Sequence, residues 1–338
     1  MTNELRKDPI LDRWSLFAPQ RNARPNDFVS GREPRACPFC EGNEGATPPE
    51  RFALRAPGTA PDTPGWRARV VPNLYPAFTP RSDLVTREEG LLQVHHARGE
   101  HEVVIATPRH VLGLADLAED EVRDYFRVVQ ARIRHHHREG APYVLLMTNR
   151  GRAAGASLEH VHGQIAAMPM VPTRVAEEIE AAVRHAAGGN DDIFGRLLDT
   201  EREEGARIVA ENDLVTAFVP FAARFAAEVW FVPRVPGGHF ARADDALRDA
   251  TASLLRRVLH AFDLVWDRPA YNFFLHDGAP GVPGTKHFRW HIELFGVFGA
   301  AMSFEAGTGC FINLTLPEQT AAALREAAAK LDEGYRTQ

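Results

Sequence analysis

An internal repeat constrains the fold of this 338-residue chain more than any other feature. Three pairs of like residues keep almost the same separation, 128 or 129 positions: Tyr143 and Tyr271, His110 and His239, His162 and His291. Such self-similarity is typical of a duplicated structural unit. The sequence therefore predicts a tandem duplication of one α+β module. We place the two copies at residues 1–187 and 188–338.

Each copy contains one long amphipathic helix followed by an apolar strand. Apolar residues recur at helical spacing in both copies: Val122, Phe126, Val129 and Ile133 in the first, and Leu247, Leu254, Val258 and Phe262 in the second. The strands that follow begin at Tyr143 and Tyr271. Further helices are predicted over 173–186 and, as a closing helix that begins with proline, over 317–331.

Two stretches between these elements are interpreted as structurally simple. The segment 187–205 is rich in glycine and acidic residues and is interpreted as a linker. The run His135-His136-His137 ends the first long helix and is interpreted as surface charge that complements the helix dipole, not as a metal site.

The residues best suited to chemistry follow a small-residue turn: His160-Val161-His162-Gly163-Gln164. In a β-strand, side chains at i, i+2 and i+4 leave the same face. A neutral imidazole is a good nucleophile near pH 7, and a backbone carbonyl can hold its second nitrogen. His162 is thus suited to attack phosphorus while Gln164 donates to a phosphate oxygen. An isolated His-x-His is more often a plain strand with two polar residues on one face, so the surroundings decide.

Those surroundings resemble the active-site block of the galactose-1-phosphate uridylyltransferases, a branch of the histidine-triad superfamily. The resemblance lies in Asn149-Arg150-Gly151, in the turn Gly155-Ala156-Ser157, and in Pro169 after the motif. It implies a histidine-triad-like fold in which helices flank an antiparallel sheet. It also implies that His162 and Gln164 are catalytic. The substrate-binding residues that it implies are Arg21, Arg24, Asn73, Asn149, Ser157 and Gln164.

Several of these positions also have simpler interpretations. Loop arginines such as Arg21 and Arg24 are usually just solvated, although their planar fork suits the phosphates of a nucleotide sugar. The segment Asn73-Leu74-Tyr75 lies at the nucleoside in relatives, and a plain turn with a core tyrosine is the alternative.

The pair Cys37 and Cys40 forms a Cys-x-x-Cys motif in a loop rich in proline and glycine. Alone it would fit a redox pair or two unrelated thiols. A structural zinc site closes at four ligands, and the resemblance supplies His110 and His160 as the other two. Relatives often hold a second metal with a histidine two residues before the equivalent of His291, together with residues like His276 and Glu178. Arg289 occupies that position, which makes a second metal doubtful.

Composition excludes several classes of protein. A net charge of −6 argues against a dedicated nucleic-acid binder. The sequence has no apolar run of the ~18 residues that a membrane span needs, and its first residues lack the apolar core of a signal peptide. Three cysteines, two of them in one motif, suit a metal site in a reducing compartment better than a disulfide framework. We expect a cytoplasmic protein without membrane or nucleic-acid partners.

The resemblance implies a nucleotidyltransferase that moves a nucleoside monophosphate, UMP, between hexose 1-phosphates through a covalent nucleotidyl-histidine. Its partners would be a nucleoside-diphosphate sugar and a sugar 1-phosphate, and the family commonly forms a homodimer. An ADP-sugar phosphorylase or a dinucleoside tetraphosphate phosphorylase would use the same nucleophile. Leu74 stands where some uridylyltransferases carry an acidic residue, which weakens the assignment of uridine. A non-catalytic nucleotide-binding protein is a further alternative, against which His162 and Gln164 argue.

Overall fold

The computed structural model describes residues 3–7, 14–18, 36–80, 87–189, 192–299 and 303–336. Arg21 and Arg24 lie outside the described residues. The strands within these ranges are β1 (Glu4–Lys7), β2 (Trp14–Phe17), β3 (Phe52–Arg55), β4 (Trp66–Pro72), β5 (Arg87–Glu89), β6 (Leu92–His96), β7 (Glu100–Ile105), β8 (Tyr143–Arg150), β9 (His162–Met168), β10 (Ile208–Glu211), β11 (Val215–Phe218), β12 (Val229–Pro233), β13 (Tyr271–His276) and β14 (His291–Gly296). The helices are α1 (Glu119–Arg138), α2 (Thr173–Ala187), α3 (Ile193–Glu204), α4 (Asp245–Trp266), α5 (Ser303–Thr308) and α6 (Pro317–Arg336).

Strand order displays the duplication. The strands of the large antiparallel sheet follow the order β10-β11-β12-β14-β13-β8-β9-β7-β4-β3. Counted outward from the centre, β8, β9, β7, β4 and β3 of the first half match β13, β14, β12, β11 and β10 of the second. The long helices α1 and α4 hold equivalent places in the two halves. The prediction of a duplicated α+β module, with helices flanking an antiparallel sheet, is confirmed.

The two halves share this sheet because β8 and β13 pair at its centre. They run antiparallel, with Asn149 opposite Asn272 and Leu146 opposite Leu275. A smaller antiparallel sheet has the order β2-β1-β6-β5.

The main core lies on one face of the large sheet, under α1 and α4. Both predicted long helices form, and their apolar stripes supply buried residues such as Phe126, Ile133 and Phe262. Alternate residues of β8 reach opposite faces, since Val144 belongs to this core while Tyr143 packs with Ile179 of α2 on the other side. None of the helices in the described ranges is both long and apolar enough to cross a membrane.

The interpretation of 187–205 as a linker is wrong, because α3 occupies most of it. The Asp192 side chain caps this helix by accepting a hydrogen bond from the Gly195 amide at 2.9 Å. Phe194 and Leu198 are buried against the second half of the sheet. Glycine lowers helix propensity, but burial of these two apolar residues outweighs it.

The interpretation of the histidine run as surface charge is also wrong for its central residue. His136 is buried, and its Nε2 lies 3.1 Å from the carboxylate of Glu102 on β7. The run therefore fixes the end of α1 to the sheet.

Candidate active site

The site is built on β9, at the centre of the first half. Gln164 lies opposite Val103 of β7 and Met147 of β8, and His162 lies opposite Ile105 of β7. These side chains leave the face opposite the main core, to which Ile165 points. His162 and Gln164 thus share one face, as predicted. The prediction that His160 shares this strand face is wrong, because His160 lies in the loop before β9, where its ring contacts Cys37 and Cys40.

His162 is held in one tautomer by its own loop. Its Nδ1 lies 2.7 Å from the carbonyl oxygen of His160 and donates to it, so Nε2 carries the lone pair. The ring is only 7% exposed, and the Phe39 ring packs edge-on against it at 5.3 Å between centroids. This arrangement leaves the ring oriented for nucleophilic attack through Nε2.

Gln164 is oriented by two donors. Nε2 of His101 lies 2.9 Å from its Oε1, and Nδ2 of Asn73 lies 3.3 Å from the same oxygen. The Asn73 side chain also accepts a hydrogen bond from the Tyr75 amide. His101 is a residue that the sequence analysis missed. It lies 63 positions before Gln164, and no local motif marks it.

A cavity of about 170 Å³ opens beside His162 and Gln164. Its walls are mostly apolar, which suits the flat ring of a nucleobase. Ser157 and Asn73, both predicted to bind substrate, lie in its lining. The other lining residues are Pro38, Phe39, Ala46, Thr47, Pro48, Val71, Pro72, Leu74, Tyr75, Val103 and Leu158.

Asn149 lines a second cavity beside His162. It lies on β8 and lines a small separate cavity that also contains His160 and His162. The turn that follows comes close to it, because a Cβ on Gly155 would lie 3.4 Å from Asn149 Nδ2. Gly155 has a φ of +85°, a conformation that favours glycine. The structure thus brings Asn149, Ser157 and Gln164 around His162.

Four residues at the edge of this site fit a metal ion. The Nδ1 atom of His160 lies 3.6 Å from the sulfur atoms of both Cys37 and Cys40, and that of His110 lies 3.5 Å from Cys40 Sγ. Zinc bonds of about 2.3 Å to sulfur and 2.0–2.1 Å to nitrogen, at tetrahedral angles, place those atoms about 3.5–3.6 Å apart. The structure therefore groups the four predicted ligands at separations that suit zinc.

The protonation of this group agrees with ligation. The Nε2 atom of His160 lies 2.9 Å from the Thr107 carbonyl, to which it donates, so the lone pair of Nδ1 faces the thiols. Burial lowers the pKa of His160 to about 4, which keeps its imidazole neutral. Burial and the neighbouring Cys40 raise the pKa of Cys37 to about 11. A zinc ion reverses that effect, since a coordinated thiol is deprotonated.

A second group of possible ligands lies in the other half, and its members are Glu178, His276, His291 and Glu293. Two buried atoms in it, His291 Nε2 and Glu293 Oε1, have no hydrogen-bond partner among the described residues, although they lie 3.5 Å apart. Glu178 Oε1 is paired with Arg174 Nε at 3.3 Å. Buried polar atoms without partners are costly, and a divalent cation would satisfy the His291 and Glu293 atoms. Burial alone would raise the pKa of Glu293, but the histidines and Arg224 around it lower the pKa to about 2.

The sequence makes a second metal doubtful because of Arg289, and that doubt stays a prediction. Arg289 is not in this group, because its guanidinium pairs with Asp192 and donates to the Pro233 carbonyl at 2.8 Å. The fourth position belongs to Glu293, two residues after His291.

Known proteins resemble this chain over nearly its whole length. The family model for galactose-1-phosphate uridyl transferase, N-terminal domain, matches residues 1–172. An ADP-glucose phosphorylase from Arabidopsis thaliana is 31% identical and covers 96% of this chain and 93% of its own length. A galactose-1-phosphate uridylyltransferase from Thermotoga maritima is 28% identical, with 97% and 99% covered. The crystal structure of an Arabidopsis thaliana ADP-glucose phosphorylase with bound ADP-glucose superposes with a TM-score of 0.74 at 29% identity, with 96% of this chain and 99% of that chain covered. This chain belongs to the galactose-1-phosphate uridylyltransferase family.

Proposed function

We propose that the protein transfers a nucleoside monophosphate through a covalent intermediate on His162. The Nε2 lone pair forms a bond to the α-phosphorus of a nucleoside-diphosphate sugar. The bond from that phosphorus to the bridging oxygen breaks, and the sugar 1-phosphate leaves with the electron pair. An acceptor phosphate oxygen then attacks the phosphorus and returns the electron pair to Nε2. Covalent catalysis divides one difficult displacement into two easier ones.

The observation that carries this proposal is the tautomer of His162. A proton on Nδ1, held by the His160 carbonyl at 2.7 Å, makes Nε2 the nucleophile without any further base. The Gln164 amide group beside it is a donor for a phosphate oxygen, and Asn149 and Ser157 are further donors around the same histidine. Fixed donors that meet developing negative charge are a large source of rate enhancement. Arg21 and Arg24 remain predicted phosphate ligands.

Two substrate pairs fit this mechanism. UMP transfer between hexose 1-phosphates is supported by the relatives that are galactose-1-phosphate uridylyltransferases. Phosphorolysis of an ADP-sugar is supported at least as well, because the relative with 31% identity is an ADP-glucose phosphorylase. Leu74 also favours it, since this residue lines the cavity and is 64% exposed where some uridylyltransferases carry an acidic residue.

We further propose a structural zinc ion on Cys37, Cys40, His110 and His160. Through His160, whose carbonyl holds His162, zinc would stabilise the loop that orients the nucleophile. The group around His291 would hold a second divalent cation, for which carboxylate and imidazole ligands are suitable. We expect the chain to act as a homodimer.

A substrate screen tests the proposal. The purified protein is mixed with UDP-glucose or ADP-glucose, each with galactose 1-phosphate or inorganic phosphate as the acceptor, and release of sugar 1-phosphate is measured. Turnover of one pair at least ~100-fold faster than the others identifies the substrate class, since a pocket built for one base rejects another by this order. No turnover with any pair would refute the proposal.

A further inference from the structure

We propose that His101 is a positioning residue for nucleotidyl transfer: it fixes the Gln164 amide so that its NH₂ group is presented to the substrate phosphate. This inference rests on the proposed function. Nε2 of His101 lies 2.9 Å from Gln164 Oε1, and His101 is only 3% exposed. It lies on β7, next to the strand that carries His162 and Gln164.

The backbone determines the tautomer of His101. The amide of Ala77 donates to His101 Nδ1 at 2.9 Å, so Nδ1 is an acceptor and the proton of the neutral ring is on Nε2. That proton meets Gln164 Oε1. If the amide were turned over, its NH₂ group would face the N–H of His101, and two buried donors would oppose each other. The tautomer therefore excludes the reversed amide.

Asn73 favours the same orientation of the Gln164 side-chain amide. Its Oδ1 accepts from the Tyr75 amide at 2.9 Å, which leaves its NH₂ group as the donor toward Gln164 Oε1, 3.3 Å away. Both nitrogens thus face Gln164 Oε1 from one side, since they lie only 3.4 Å apart. Because the amide is planar, we infer that its NH₂ group points away from them, toward the cavity that Gln164 and His162 both line.

The contacts of His101 also allow a purely structural role, in which it only holds the Ala77 segment. Two substitutions separate the roles, because each keeps one nitrogen's function. The amide of asparagine lies near the place of Nδ1, so His101→Asn keeps the acceptor for Ala77 and loses the donor to Gln164. The amide of glutamine reaches the place of Nε2, so His101→Gln keeps the donor and loses the acceptor.

Single-turnover labelling of the enzyme by an α-³²P nucleotide sugar measures the first step directly. We expect His101→Asn to lower the saturating rate by ~10–100-fold, somewhat less than the loss of a whole oxyanion donor. We expect His101→Gln to retain the rate within ~5-fold, although it buries the Ala77 amide without a partner and should be the less stable variant on heating. His101→Asn is then the slower variant and His101→Gln the less stable one. A purely structural role would make the less stable variant the slower one as well.

A double substitution completes the test. In a Gln164→Ala background, His101→Asn should slow labelling by less than ~2-fold further, because residues that act as one unit are not additive. Equal slowing by the two His101 variants, or an undiminished effect without Gln164, would overturn the inference. Wild-type protein that takes up no label from either UDP-glucose or ADP-glucose would refute the proposed function itself, and the inference with it.

Discussion

Gly163, between His162 and Gln164, shows how closely the strand is packed at the level of single residues. A Cβ at this position would lie 2.0 Å from the hydroxyl oxygen of Tyr125 and 3.0 Å from Thr148 Oγ1. Tyr125 is fully buried on α1, and its hydroxyl lies 3.1 Å from that of Thr148. A side chain at residue 163 would therefore push β9 away from α1.

We predict that Gly163→Ala destabilises the protein by roughly 1–3 kcal/mol, the usual range for overpacking. In a Tyr125→Phe background the same change should cost less, because the closest atom is gone. Chemical unfolding of the four proteins measures this coupling. Gly45→Ala is the matched control, since a Cβ there meets no atom within 4 Å. If Gly163→Ala lowers the free energy of unfolding no more than Gly45→Ala does, β9 is not closely packed against Tyr125.

The sequence correctly predicted the placement of residues that local spacing determines. The shared face of His162 and Gln164 follows from the period of a strand. The sequence did not indicate His101, because its proposed role depends on contacts with Ala77 and Gln164, which only the folded sheet brings together.

At the scale of elements, a buried ion pair joins α1 to β7. The guanidinium of Arg132 donates to both carboxylate oxygens of Glu102, at 2.9 and 2.6 Å, and His136 lies beside them. Burial alone would raise the pKa of Glu102, but its contacts with His136 and Arg132 outweigh burial and lower the pKa. Glu102 is the neighbour of His101, so this pair also supports the strand behind Gln164.

The lowered pKa predicts how stability depends on pH. The stabilisation from Glu102 is fully present above the pKa of the unfolded chain and is lost as pH falls through the lower folded pKa. Glu102→Gln should cost roughly 3–5 kcal/mol at pH 7, because Arg132 is left buried without its partner, and should flatten the loss of stability below about pH 4.5. Urea unfolding from pH 3 to 7 tests this, with the exposed Glu326→Gln as control. Parallel pH profiles for wild type and Glu102→Gln would disprove the role.

The elements themselves were predicted unevenly. Both long helices were found because their apolar stripes recur with the helical period. The helix α3 was not predicted, because Gly195 and several acidic residues are typical of a loop. Its buried apolar residues, Phe194 and Leu198, are too few to form a clear helical pattern.

At the scale of the whole molecule, duplication preserved the hydrogen bond between a histidine Nδ1 and a backbone carbonyl, whereas the side chains around it changed. Nδ1 of His162 lies 2.7 Å from the carbonyl of residue 160, and Nδ1 of His291 lies 3.0 Å from the carbonyl of residue 289. In the first half residue 160 is a histidine facing two thiols, whereas in the second it is Arg289, paired with Asp192. The repeat was visible in the sequence because separations of like residues survive divergence. The division at residues 187 and 188 stays a prediction.

The two cysteine environments provide a test of the proposed zinc. We predict that Cys37→Ser loses one equivalent of zinc per chain and melts at a lower temperature, because structural zinc contributes folding free energy. Cys310→Ser is the matched control, since Cys310 is exposed and far from any predicted ligand in sequence. Elemental analysis and thermal unfolding of both variants decide the matter. Unchanged metal content in Cys37→Ser would remove zinc from this site.

Nucleotidyl transfer through His162 is tested most directly by locating the covalent intermediate. Protein is treated with α-³²P-labelled UDP-glucose and ADP-glucose, digested, and the labelled peptide is identified. We expect a label that is stable to base and released by acid, as is typical of a phosphoramidate, on the peptide containing His162. The label should disappear in His162→Ala and persist in His291→Ala, whose histidine is fully buried beneath Trp230. Label on the peptide containing His291, or label retained in His162→Ala, would contradict covalent transfer through His162.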